Sequence, residues 1–200
     1  MPRQRSAIFV TTTAALIAAM LLLSACRPVA APGETPVANA ATPTLPTYLA
    51  GLQAAYGPPS DAGFGSAVFY TAFADDASLE QAALDKYKAF TGEFWQRYGE
   101  ATWMGPWKEV YVRAPGAPAG IVAELRGIAD RDIAISAPLI IDEVDDAAAA
   151  RAALAAAYDD PAVTELRVFN LGDGAAMAGL LVAGRRGATV DAILLVLLLD

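Results

Sequence analysis

The stretch Val163–Leu199, VTELRVFNLGDGAAMAGLLVAGRRGATVDAILLVLLL, decides the fold. Gly172-Asp173-Gly174 and Gly184-Arg185-Arg186-Gly187 divide it into three apolar runs, Val163–Leu171, Ala175–Ala183 and Thr189–Leu199. Strand-length runs separated by short glycine-rich turns predict a three-stranded antiparallel meander. Ile193–Leu199 has no polar residue on either face, which predicts a central strand covered on both sides. Those seven residues are too few to span a bilayer. Gly172-Asp173-Gly174 has neither a Walker lysine nor a following helix, so it reads as a hairpin turn and not as a phosphate loop.

Upstream of the meander, Glu143–Tyr158 is rich enough in alanine to be helical on propensity alone, and Asp160-Pro161 closes it. The preceding Asp142-Glu143-Val144-Asp145-Asp146 concentrates four carboxylates in five residues. They sit where an Asp N-cap and first-turn acids are favoured by exposed amides and the helix dipole. The segment lacks the alternating ligands and central glycine of a calcium loop.

Farther back, Asp130-Arg131-Asp132 reads as a turn and Asp132–Ile141 as a strand. Lys108–Arg113 and Gly120–Arg126 read as a hairpin joined by the loop Ala114–Ala119. Ser78-Leu79-Glu80-Gln81 is a capping box. Leu79, Ala83, Tyr87, Phe90, Phe94 and Tyr98 then recur at steps of three and four until Gly99, predicting one helix with an aromatic stripe. Ser66–Phe73 is β-rich and follows a Gly/Pro-punctuated segment, which predicts a first strand.

The reading is thus an α+β domain, an antiparallel sheet with two main helices, in which strand-helix-strand-strand occurs twice. Asp75-Asp76-Ala77 with Ala82-Ala83-Leu84 matches Asp145-Asp146-Ala147 with Ala152-Ala153-Leu154 at the same spacing, and Ala119–Ala123 is similar to Ala178–Ala183. A duplicated unit of this order resembles the tandem modules of the gyrase-inhibitor-like and haem-binding SOUL families. That resemblance is topological, and it implies two helices on one sheet with a binding groove between the halves.

Composition removes several chemistries. The chain has no histidine, and its single cysteine is Cys26. His/Cys zinc sites, Ser-His-Asp triads, cysteine nucleophiles, haem attachment and intrachain disulfides are therefore not expected, and no cofactor is implied. A net charge of −8 and a lone basic pair, Arg185-Arg186, argue against a nucleic-acid partner, whose phosphates call for clustered Lys and Arg. That pair, set between glycines, reads as a turn.

The N-terminus carries the most specific motif. Pro2-Arg3-Gln4-Arg5 is a basic start, and Ala7–Leu23 is an apolar run broken only by Thr11, Thr12 and Thr13. Leu23-Ser24-Ala25-Cys26 resembles the lipobox of bacterial lipoproteins. The resemblance implies a diacylglyceryl group on the Cys26 sulfur, cleavage just before it, and acylation of the new amine by a fatty acid such as palmitate. Two or more chains anchor stably where one binds marginally. The expected organisation is a signal peptide over residues 1–25, a lipidated Cys26 with a Pro/Ala/Thr-rich linker over 26–47, and one domain over 48–200. As a coil the linker spans roughly 25 Å. The expected location is the cell envelope, tethered on the extracytoplasmic side of a membrane. An uncleaved, short transmembrane segment is the competing reading of the same run.

All three tryptophans lie between residues 95 and 107. Core packing is the leading reading of this aromatic cluster, since Phe94 and Tyr98 lie on the helix's buried stripe and Trp95 on its flank. Trp103-Met104-Gly105-Pro106-Trp107 reads as a loop with turn residues between two indoles, so Trp103 and Trp107 are, beside that reading, the candidate lining of a ligand or partner groove. No catalytic residue and no metal ligand set is assigned. The expected function is a non-catalytic domain binding an unidentified protein or small molecule. The alternative is a carboxylate-dependent hydrolase, which two buried carboxylates facing one pocket would favour.

Overall fold

A computed structural model describes residues 45–72, 78–187 and 190–199. Cys26, the apolar run before it and Asp75-Asp76-Ala77 lie outside the described residues. Among the described residues the order is α1 (Thr47–Tyr56), β1 (Gly65–Ala72), α2 (Leu79–Thr91), α3 (Glu93–Tyr98), α4 (Glu100–Met104), β2 (Lys108–Val112), α5 (Ile121–Gly127), α6 (Arg131–Ile141), α7 (Ala147–Tyr158), β3 (Val163–Asn170), β4 (Met177–Arg186) and β5 (Val190–Leu199). The strands form one antiparallel sheet in the order β1-β5-β4-β3-β2, and the fold is α+β. None of the described helices is long and apolar enough to cross a membrane.

The meander is present as β3-β4-β5, and alternation along it divides the core. Leu180, Val182 and Leu194 face one side, packed with Leu52 of α1, Ile121 of α5, Ile140 of α6 and Leu154 of α7. Leu181, Ala183 and Ile193 face the other, against Ala83, Tyr87 and Phe90 of α2 and Trp103 of α4. Helices therefore cover both faces. This double cover is why β5, lying between β1 and β4, tolerates apolar residues in succession: Ala192, Ile193 and Leu194 are all buried.

Several expectations are corrected. Gly120–Arg126 and Asp132–Ile141 are not strands: they lie largely in helices α5 and α6. In α6 the buried residues Ile133, Ser136, Ala137, Ile140 and Ile141 follow the helical period, which β-branched composition alone disguises. Asp130, read as part of a turn, is the N-cap: its Oδ1 accepts from the amides of Asp132 (3.0 Å) and Ile133 (3.2 Å). With those strands gone, the described residues contain no duplicated strand-helix-strand-strand unit and no 108–126 hairpin. β2 pairs with β3 instead, across a bulge between Glu109 and Tyr111.

The expected aromatic helix is two helices, α2 and α3, and the Trp-rich segment after Gly99, expected as a loop, begins with a third, α4. Gly92, at φ +53°, breaks it where a side chain would strike the Asp61 carbonyl oxygen at 2.9 Å. The Arg185-Arg186 pair belongs to β4, and the turn follows at Gly187. Thr47, assigned to the linker by composition, is the first residue of α1. Other expectations match. Ser78 caps α2 through the Gln81 amide, Asp146 caps α7 through the Ala149 amide, and Asp173 closes the β3–β4 turn on the amides of Ala175 and Met177.

Candidate functional site

The tryptophans are packing elements. Trp103 lies in α4, 3% exposed, and its Nε1 donates to the Phe94 carbonyl at 2.9 Å. The Tyr87 hydroxyl donates to the Trp103 carbonyl at 3.1 Å. Trp107 is half-buried and stacks on Phe169 (4.5 Å between centroids, 23°) and on Tyr87 (5.5 Å, 22°). Trp95 meets Tyr87 edge-on at 5.6 Å. These contacts seal α2, α3 and α4 to the sheet, where large apolar rings gain most from burial. The expectation that Trp103 lines a groove is corrected accordingly, because its ring is buried against α2 and the sheet, while Trp107 stacks on Tyr87 and Phe169 and stays half-exposed.

The Trp-rich segment does edge a cleft, through Thr102, Gly105 and Pro106 and not through its indoles. The cleft has a volume of about 440 Å³, and its other walls come from Lys108, Asp132 and the β3–β4 turn. Asn170, 4% exposed at the end of β3, ties these pieces together. Its Nδ2 donates to the carbonyls of Gly172 (2.7 Å) and Pro106 (3.2 Å), and its Oδ1 accepts from the Gly172 amide. One buried amide thus fixes the loop against the turn, with both of its N–H donors and its oxygen engaged.

A narrow recess of about 50 Å³ adjoins the cleft and shares Asp132 and Gly172 with it. Ile135 and Ser136 of α6 and Met177 of β4 form its sides. Ser136 is 1% exposed, and its hydroxyl has no hydrogen-bond partner.

Two carboxylates are held ionised here: Asp173 in the cleft wall, and Asp130, which pairs with the wall residue Lys108. For Asp130, burial works toward a higher pKa, but hydrogen bonds from Lys108 Nζ (3.0 Å) and from the Ile133 and Asp132 amides outweigh it and hold the group below the usual carboxylate range. The Ala175 and Met177 amides lower Asp173 in the same way. Among the described residues, no group of three or more His, Cys, Asp or Glu side chains is arranged to hold a metal ion.

The acidic segment 142–146 is dispersed. Asp142 ends α6 and pairs with Arg126 (2.8 Å) and Arg151 (3.1 Å), while Asp146 serves α7. Glu143 and Asp145 edge a shallow groove of about 530 Å³ floored by small residues of α1 and α7.

Sequence reasoning missed Asn170, Asp132 and Ser136. Asn170 was visible as a polar residue inside the apolar run Val168–Leu171 immediately before a Gly-Asp-Gly turn. Ser136 emerges only when Ile133–Ile141 is read with the helical period, which puts it on the buried side. The chain matches no protein-family model, no curated protein and no solved structure.

Proposed function

We propose that this protein is a membrane-tethered, extracytoplasmic lipoprotein whose folded domain binds a small molecule or a partner protein, without catalysis, at the cleft between α6, the β3–β4 turn and the Trp-rich segment. The observation that carries the tethering is Leu23-Ser24-Ala25-Cys26 placed directly after a basic start and an apolar run. As the chain's sole cysteine, in a chain without histidine, Cys26 has no intrachain disulfide partner and no His/Cys co-ligand to compete with lipidation.

Binding is favoured over acid/base hydrolysis by the state of Asp173 in the cleft wall and of Asp130, which pairs with the wall residue Lys108. A general acid needs a raised pKa. Asp130 and Asp173 are shifted the other way, which suits groups that accept hydrogen bonds and hold charge. A volume of about 440 Å³ lies within the range of small-molecule sites.

Growth of a bacterial host on labelled palmitate tests the tether. The parent chain should carry label and sediment with membranes, and Cys26→Ser should lose the label. Equal labelling of both would overturn the reading.

A further inference from the structure

Among the described residues, Tyr98 on α3, Val112 on β2 and Ile135 on α6 are exposed singly on separate elements, as surface apolar side chains usually are. Leu45 (43% exposed) and Tyr70 (39%) instead belong to one corner. On β1, Tyr70 follows Val68 onto the face packed by α1, and on β4, Arg186 follows Val182 onto the same face. Register brings both to one end of the sheet. Tyr70 and Gly184 each oppose Ala192 of β5, while Ala72 and Arg186 each oppose Val190.

Tyr48, in the first turn of α1, adjoins both. The Arg186 guanidinium lies over its ring, 4.2 Å from the centroid. Burial raises the pKa of the Tyr48 hydroxyl, Arg186 opposes the rise, and Tyr70 and Asp160 add to it, so the four groups share one neighbourhood. Leu45 precedes this turn by two residues. Arg186 is itself paired with Asp160 and donates to the Ala156 carbonyl, so the corner carries no net charge in a chain of net charge −8. Tyrosines with an apolar body and a polar tip, beside aliphatic surface and a neutralised charge, suit the layer where lipid headgroups meet acyl chains.

The path of the chain says which surface meets this corner. Leu45 is the first described residue, so the segment that follows Cys26 enters the domain at the patch itself. Resting on the reading of Cys26 as a lipid anchor, we propose that Leu45, Tyr48 and Tyr70 form a docking patch for the bilayer that holds the anchor. The rings lie at headgroup depth, the domain rests on the membrane, and the cleft, away from this corner, stays open to solvent. Such a patch is too small to hold a free domain. A tether makes the contact intramolecular, at an effective concentration of about a millimolar, and a weak contact is then occupied.

The test places an indole in the patch. Full-length Tyr70→Trp and Tyr98→Trp chains, purified from bacterial membranes, are reconstituted into vesicles of phosphatidylcholine with plain or brominated acyl chains, and quenching is read against the parent. Tyr98 packs with Phe94 and Trp103 on the opposite face of the sheet, as do the native Trp95 and Trp107, so it serves as the control. Tyr70→Trp is expected to be quenched beyond the parent, and Tyr98→Trp not. Leu45→Asp in the Tyr70→Trp chain should lower the ratio of docked to undocked domain about tenfold, the scale of losing one buried leucine, with the melting temperature unchanged. Chains that float with the vesicles while Tyr70→Trp is quenched no more than Tyr98→Trp would overturn the docking, leave the anchor standing, and turn the patch over to a protein partner. Chains that do not float would overturn the anchor and the docking together.

Discussion

Arg185 on β4 and Asp191 on β5 are register partners, and the guanidinium grips the carboxylate at two points, Nε to Oδ1 at 3.0 Å and Nη2 to Oδ2 at 3.2 Å. Asp191 is fully buried. The pair closes a ladder of charge across one end of the sheet: Glu109 on β2 meets Arg167 on β3 at 2.7 Å, Arg167 meets Glu165 at 2.7 Å, and Glu165 lies 3.8 Å from Arg185. The apolar face packed by α2 thus ends in a line of alternating charges that also fixes strand register. Removing one partner of a buried pair leaves the other uncompensated. Asp191→Ala is expected to cost about 3 kcal/mol of unfolding free energy in a urea titration.

Gly184 tests the packing between the meander and α7. A Cβ there would lie 2.7 Å from Tyr158 Cδ1 and 2.8 Å from Cε1. Tyr158 cannot swing away, because it is fully buried and its hydroxyl donates to the Val182 carbonyl at 3.2 Å. Gly184→Ala should therefore destabilise by about 2 kcal/mol, the scale of an overpacked core, read as a lowered urea midpoint with an unchanged slope.

Trp107 sits between Tyr87 and Phe169 in a three-ring stack. If it serves packing, Trp107→Ala should cost about 3 kcal/mol, and Trp107→Phe should recover most of the loss. Chemical denaturation of both variants checks this. Retained stability in Trp107→Ala would return the indole to a ligand-facing role.

Asp130 makes stability depend on acid pH. Its folded pKa is depressed, so its contribution is fully present above the unfolded carboxylate value of about 4 and is lost as pH falls through the lower folded value. Asp130→Asn retains a capping oxygen but not the charge facing Lys108. The parent should be the more stable chain at pH 7, and the difference should shrink as pH falls through the depressed folded pKa of Asp130, as followed by thermal melts across pH.

How much of this was legible follows from where each signal resides. The meander could be read because its turns are written in glycine and aspartate, residues whose backbone preferences act locally. The same holds for the N-caps Ser78 and Asp146, each a single side chain on a nearby amide. Residues 120–141 were misread because isoleucine and valine suit a strand by propensity, while their burial against the sheet follows the helical period; tertiary packing decided between them. The cleft was hidden for a related reason. Asn170, Pro106 and Asp132 are far apart in the chain, and only the pairing of β2 with β3 and the placement of α6 over β4 bring them together. The tryptophans drew attention by rarity, yet rarity says nothing about the direction a ring faces.

The most direct test of the account is the intact mass and N-terminal peptide of the full chain extracted from bacterial membranes. The account predicts a mature chain beginning at Cys26, with a diacylglyceryl group on its sulfur and a fatty acyl group on its amine. A chain that still begins at Met1, or a Cys26 with a free thiol, would contradict it.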